Sequence, residues 1–161
     1  AYSWKAALIS QDKPTALILS RQNLEPQGRD DHSQIAKGGY LLSKEEQSDL
    51  TIIATGSEVQ LAMHAKAHLK ENGLKANVVS MPCTEIFDQQ DEEYKTNILG
   101  DGPRVAIECG YPDFWHKYLN QGDLVIGMES FGESAPGSVL MDHFGFTADK
   151  VSKKIISFLK K

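Results

Sequence analysis

Residues 50–73 read LTIIATGSEVQLAMHAKAHLKENG, and their pattern decides the fold. Leu50 to Thr55 is a short apolar run closed by a glycine. Such a run predicts a strand buried on both faces, as in a parallel sheet. Ser57 follows Gly56 and opens a helix predicted to reach Asn72, with Gly73 as its stop, since glycine tolerates the positive φ of a helix C-terminus. Ser57-Glu58-Val59-Gln60 has the form of a capping box. Ala62, Ala65 and Leu69 mark the buried face of this helix. His64 and His68 lie about 90 to 120° away from it at 100° per residue.

The same alternation continues outward. Lys75–Met81, Arg104–Cys109 and Leu124–Met128 are predicted strands, and Gly39–Ser43 an edge strand. Phe87–Leu99, Pro112–Leu119, Pro136–Phe144 and Ala148–Lys160 are predicted helices. Strand–helix units with short connections imply right-handed crossovers and a mostly parallel sheet. Strands this apolar need helices on both faces. The expected fold is α/β: a three-layer sandwich around a mostly parallel sheet of about five strands.

Upstream, residues 1–12 suit the last turns of an amphipathic helix, and Thr15–Ser20 reads as a buried strand. From Arg21 to Gln34 the composition turns polar, with Leu24 the one large apolar residue. This places a domain boundary within residues 22–36. The division expected is a tail of an upstream domain over 1–24, a linker over 25–35 and a complete domain over 36–161. The first residue is not Met and already lies in a helical pattern, so a longer parent chain is expected.

Composition narrows the function classes. The 161 residues are 40% hydrophobic and 24% charged, with a net charge of -5, as in soluble globular domains. No apolar run approaches the roughly 20 residues that cross a bilayer, and no secretory signal precedes the first helix. Basic residues are scattered except for Lys153, Lys154, Lys160 and Lys161, a cluster that suits the end of a last helix. Neither nucleic acid nor a membrane is expected as a partner. Cys83 and Cys109 have neither metal-site nor disulfide-framework spacing; two free thiols point to the cytoplasm.

Candidate chemistry belongs at the carboxyl ends of the strands, where open parallel sheets bind ligands. Arg21 directly follows the Thr15–Ser20 run, beside Gln22 and Asn23. Its planar fork can hold a phosphate through two parallel bonds, with the neutral neighbours on sugar hydroxyls; a junction ion pair is the alternative. Gly132-Glu133-Ser134-Ala135-Pro136 lacks the second glycine of a nucleophile elbow. Asp142 and His143 follow too closely for a triad, so Ser134 is read as a helix N-cap with Pro136 in the first turn. His64 and His68 have metal-gripping spacing but read as solvated helix surface. Cys83, Glu108 and Glu129 each stand at or just past a strand end and can gather at one sheet edge, as an acid/base pair or as caps. GxGxxG and Walker motifs are absent from the sequence. A receiver-like domain is disfavoured because the strand ends carry Thr55, Ser80 and Cys109 where an acceptor Asp is needed.

Five stretches carry a resemblance. LSRQNL (19–24), GGYLL (38–42), IATGSEVQLA (53–62), VVSMPCTEIFDQQ (78–90) and ESFGESAPGSVLMDHFGFT (129–147) follow one another as in transketolases. The resemblance implies a homodimeric parent enzyme that transfers a two-carbon ketol unit between ketose and aldose phosphates in the pentose phosphate pathway. It implies thiamine diphosphate and a divalent cation, Mg or Ca, both held outside these residues. No catalytic, cofactor-binding or metal-binding residue is therefore expected here, and the chain alone is expected to be inactive. It also implies that Arg21 binds the sugar's terminal phosphate. Glu25 before Pro26 departs from the family, where Pro commonly follows Asn-Leu directly. The alternative is a dimer-assembly or small-molecule-binding module without catalysis of its own.

Overall fold

The computed structural model describes residues 2–28 and 33–160. Residues 29–32 of the expected linker, Ala1, and Lys161 of the basic cluster lie outside the described residues. Helix α1 (Tyr2–Ile9) comes first, and a 3-10 turn (Ser33–Lys37) leads into the sheet. The remaining elements are β1 (Tyr40–Ser43), β2 (Leu50–Ala54), α2 (Glu58–Glu71), β3 (Ala76–Ser80), α3 (Thr84–Asp88), α4 (Glu92–Leu99) and β4 (Arg104–Ile107). A 3-10 helix (Pro112–Tyr118), β5 (Leu124–Ile126), α5 (Gly137–His143) and α6 (Ala148–Leu159) complete the order.

The five strands form one sheet in the order β1-β3-β2-β4-β5. The β2–β3, β2–β4 and β4–β5 pairs are parallel, and β1 pairs antiparallel with β3 at the edge. The chain moves from β2 to β3 on one side, then crosses back to β4 on the other. Crossovers of one hand in opposite directions must place their helices on opposite faces, and the two cores follow that rule. On one face Ile52, Ala54, Val78 and Val105 pack with Ala62, Ala65 and Leu69 of α2 and Val151 and Ile155 of α6. On the other, Ile53, Val79 and Ala106 meet Phe87, Ile98, Leu99, Trp115 and Tyr118. Ile52 and Ile53 are both fully buried, which is why Leu50–Ala54 reads as an unbroken apolar run. The expected three-layer α/β sandwich is the observed fold.

Gly38 locks the entry to the sheet. Its φ is +83°, and a side chain there would run into the Cys83 carbonyl and the Phe87 amide. That close approach lets Gly38 accept a 3.0 Å hydrogen bond from the Cys83 amide.

Several expected elements differ. Thr15–Ser20 joins no strand ladder among the described residues. Its Ile18 is 96% exposed and its Leu19 75% exposed; a parallel strand exists only beside a neighbour that takes its amides and carbonyls, and the five-stranded sheet does not include it. Helix α1 forms, but its apolar residues are spread around it and none is buried, so it is not amphipathic. The expected helix over Phe87–Leu99 is two helices, because the Asp91 carboxylate accepts the Tyr94 amide at 2.7 Å and starts α4 afresh. Pro112–Tyr118 is a 3-10 helix. The capping box is not made: Ser57 already has helical φ and ψ, and its hydroxyl donates to the Glu58 carboxylate instead.

Candidate functional site

The crossover pattern puts a switch point between the carboxyl ends of β2 and β4, the crevice where open α/β sheets hold ligands. Thr55 to Glu58 leave β2 there, and Glu108 and Cys109 leave β4. Glu58, in the first turn of α2, is only 6% exposed and accepts a 2.9 Å bond from the Ser57 hydroxyl. Burial raises the Glu108 carboxyl to about 7, the Glu58 charge adds to this, and a hydrogen bond from Trp115 opposes it. Burial and the same Glu58 charge push the Cys109 thiol well above its ordinary range. A thiol held protonated is a poor nucleophile.

Cys83 and Glu108 line a shared hollow of about 350 Å³ at this edge, with Thr55, Tyr111, Phe114 and Trp115. Glu129 does not join them: it is exposed and lines a separate depression with Tyr111, Met128 and Phe131. Its distance follows from chain direction, since β5 ends at Ile126 and the backbone runs on past the crevice. Cys83 occupies the N-cap position of α3, its thiol 3.5 Å from Glu85 Oε2. Both cysteines are free.

A larger hollow of about 880 Å³ lies between Gln22–Leu24, the first half of α2 and residues 128–148. Arg21 immediately precedes that lining and is exposed. Ser134 is not the N-cap of α5; Pro136 holds that place, its carbonyl accepting from the amides of Val139 and Leu140. Ser134, Asp142 and His143 make no relay, because Lys150 takes the Asp142 carboxylate at 2.9 Å and His143 faces Glu133 at 3.9 Å. His64 and His68 also part company. His64 pairs with Glu25 at 3.3 Å, whereas His68 acts on Asp149. Among the described residues no three His, Cys, Asp or Glu groups come together to hold a metal ion, and no helix is long and apolar enough to cross a membrane.

Sequence reading missed Glu58, the buried charge that raises its neighbours, and the contacts of Glu25. Glu58 had a signal, since it stands four residues past the end of a strand whose neighbour also ends at the crevice. Glu25 had none, because its partners Gln60 and His64 are 35 and 39 residues away.

An α/β domain with one antiparallel edge strand and an acidic crevice at its switch point defines a class of fold, not an activity. Residues 38–147 match the family model described as the transketolase-like TK C-terminal domain, and the chain belongs to that family. It is 51% identical to transketolase 2 of Aliivibrio fischeri over 94% of this chain and 24% of the relative. With transketolase 1 of Escherichia coli it shares 48% over 96% of this chain and 24% of the relative. The crystal structure of an arginine-to-leucine variant of Pichia stipitis transketolase in complex with fructose 6-phosphate superposes with a TM-score of 0.92 and 35% identity, over 98% of this chain and 23% of that one. The chain thus spans about a quarter of the length of these relatives, the part that carries their C-terminal domain.

Proposed function

We propose that this chain is the C-terminal portion of an enzyme that transfers a two-carbon ketol unit between ketose and aldose phosphates. The observation that carries the reading is the near end-to-end match, at about half identity, to bacterial transketolases. The parent protein is then a homodimer of the cytoplasm, acting on sugar phosphates in the pentose phosphate pathway, with the rest of its own polypeptide as this chain's first partner. Residues 1–24 are the tail of the preceding domain, 25–35 the linker and 36–161 the C-terminal domain.

The family implies thiamine diphosphate with Mg or Ca, which supplies the stabilised carbanion of ketol transfer. Among the described residues, carboxylates, thiols and imidazoles form no set of three around one point that would hold the cation. No catalytic, cofactor-binding or metal-binding role is assigned to them, and the isolated chain is inactive in this reading. Calorimetric titration of the isolated chain with thiamine diphosphate and magnesium should give no saturable heat, and a saturable isotherm would refute that assignment.

The role assigned to this chain is held by Arg21, which binds the terminal phosphate of the sugar through its guanidinium. Its place directly before Gln22 and Asn23, which line the larger hollow, supports this. The full-length protein should transfer ketol units from xylulose 5-phosphate to ribose 5-phosphate. Losing one charge-assisted contact costs about 1.5 to 3 kcal/mol, so Arg21→Ala should raise KM for phosphorylated sugars about 10- to 100-fold. An unphosphorylated donor should be nearly unaffected. Absence of transfer would overturn the enzyme reading, and equal losses on both sugars would overturn the phosphate role.

A further inference from the structure

Among the described residues, the segment around Arg21 is hydrogen-bonded to the α/β body at one place. Among the described residues, no hydrogen bond ties residues 11–24 to that body. The first ties come at Glu25: its amide donates to Gln60 Oε1 at 3.2 Å, and its carboxylate lies 3.3 Å from His64 Nε2. Gln60 and His64 are one turn apart on α2, so both reach the linker from the same face. Leu24 lines the larger hollow with Leu61, Leu140 and Phe144 just before the clasp. Pro26 stiffens the chain just after it, and the Gln27 side-chain Nε2 donates back to the Glu25 carbonyl at 3.2 Å.

Helix α2 is itself rigid, with Ala62, Ala65 and Leu69 fully buried against the sheet. Arg21 and Glu25 are separated by at most about 14 Å of chain. Fixing Glu25 to α2 therefore limits where Arg21 can stand. We infer that Glu25, Gln60 and His64 are positioning residues: they clasp the linker to the C-terminal domain and so set Arg21 for the sugar's phosphate. This rests on the phosphate-binding role of Arg21. It gives the C-terminal domain a part in substrate recognition through its outer helix, without a residue of α2 touching the sugar.

The test uses the full-length protein, with Glu25→Ala, Gln60→Ala and Glu25→Gln made singly and again in the Arg21→Ala background. One exposed hydrogen bond or ion-pair contact corresponds to about two- to tenfold in an equilibrium constant. Glu25→Ala and Gln60→Ala should raise KM for phosphorylated sugars by that factor, leave kcat in place, and spare an unphosphorylated donor. Glu25→Gln should restore most of the loss, because its amide oxygen still accepts from His64. In the Arg21→Ala background none of the three should cost anything more. The clasp is overturned if the variants weaken both kinds of sugar alike, if their effect persists without Arg21, or if they are silent while Arg21→Ala alone raises KM. A silent Arg21→Ala instead overturns the phosphate role, and the clasp's purpose falls with it. Equal melting temperatures for variant and parent separate these outcomes from misfolding.

Discussion

At the scale of single residues, Glu108 has the most to say. The sheet brings its carboxyl against the buried Glu58, and its ionisation is displaced to about 7, first by burial and then by that charge. A carboxyl whose folded value lies above its unfolded value leaves the folded state holding more protons. Stability is then greatest below the unfolded value, near 4.3, and falls as pH rises through about 7. Glu108→Gln removes that dependence while keeping an acceptor for the Trp115 N–H. The variant should match the parent near pH 4.5 and exceed it at pH 8. The margin should be about 1 to 3 kcal/mol, below the roughly 3.5 kcal/mol of the full displacement because solvent screens a partly exposed site. Urea denaturation at both pH values measures it; an equal difference at the two would show that the carboxyl's charge is not what matters. Beside it, Arg104 shows the opposite use of a charge. Its guanidinium donates to the carbonyls of Gly100 and Tyr118, joining the end of α4 to the 3-10 helix, and no ligand role falls to it.

At the scale of elements, what the sequence revealed depended on whether the cause was local or shared. Leu50–Ala54 was legible because burial on both faces writes an uninterrupted apolar run, and α2 because its buried stripe of Ala62, Ala65 and Leu69 has helical spacing. Elements that depend on a partner were not. Thr15–Ser20 has a strand's composition but, among the described residues, no neighbouring strand to complete its hydrogen bonds. The break between α3 and α4 turned on a single side chain, Asp91, outcompeting the helix for the Tyr94 amide. The failed capping box shows the same competition on a smaller scale, since Ser57 and Glu58 satisfy each other. The candidate site was half legible. Cys83 and Glu108 do share a hollow because β3 and β4 flank β2 and all three end at the same edge, but the position of Glu129 depended on the path beyond β5, which no period encodes.

At the scale of the whole molecule, burial divides the chain sharply. None of residues 2–24 is buried, although Trp4 (62% exposed), Leu8 (79%), Ile18 (96%) and Leu19 (75%) are the kind of residues that build cores. From Gly38 onward, most apolar residues of that size fill two continuous cores on either side of the sheet, with Tyr111, Phe114, Phe131 and Val139 the exposed exceptions. Each large side chain fully withdrawn from water contributes about 1.5 to 3 kcal/mol, and the segment up to residue 24 contributes none of these. If residues 1–24 belong to the preceding domain, their removal should leave the rest folding as before. A chain starting at Glu25 should then unfold in urea within about 0.5 kcal/mol of the full 161 residues, the range of surface changes that touch no core. Its slope with denaturant should also fall little, because little surface is withdrawn by the missing segment. A loss of about 2 kcal/mol or more would equal the burial of a whole core side chain. It would place the boundary upstream of Arg21 and make the N-terminal segment part of the domain it precedes.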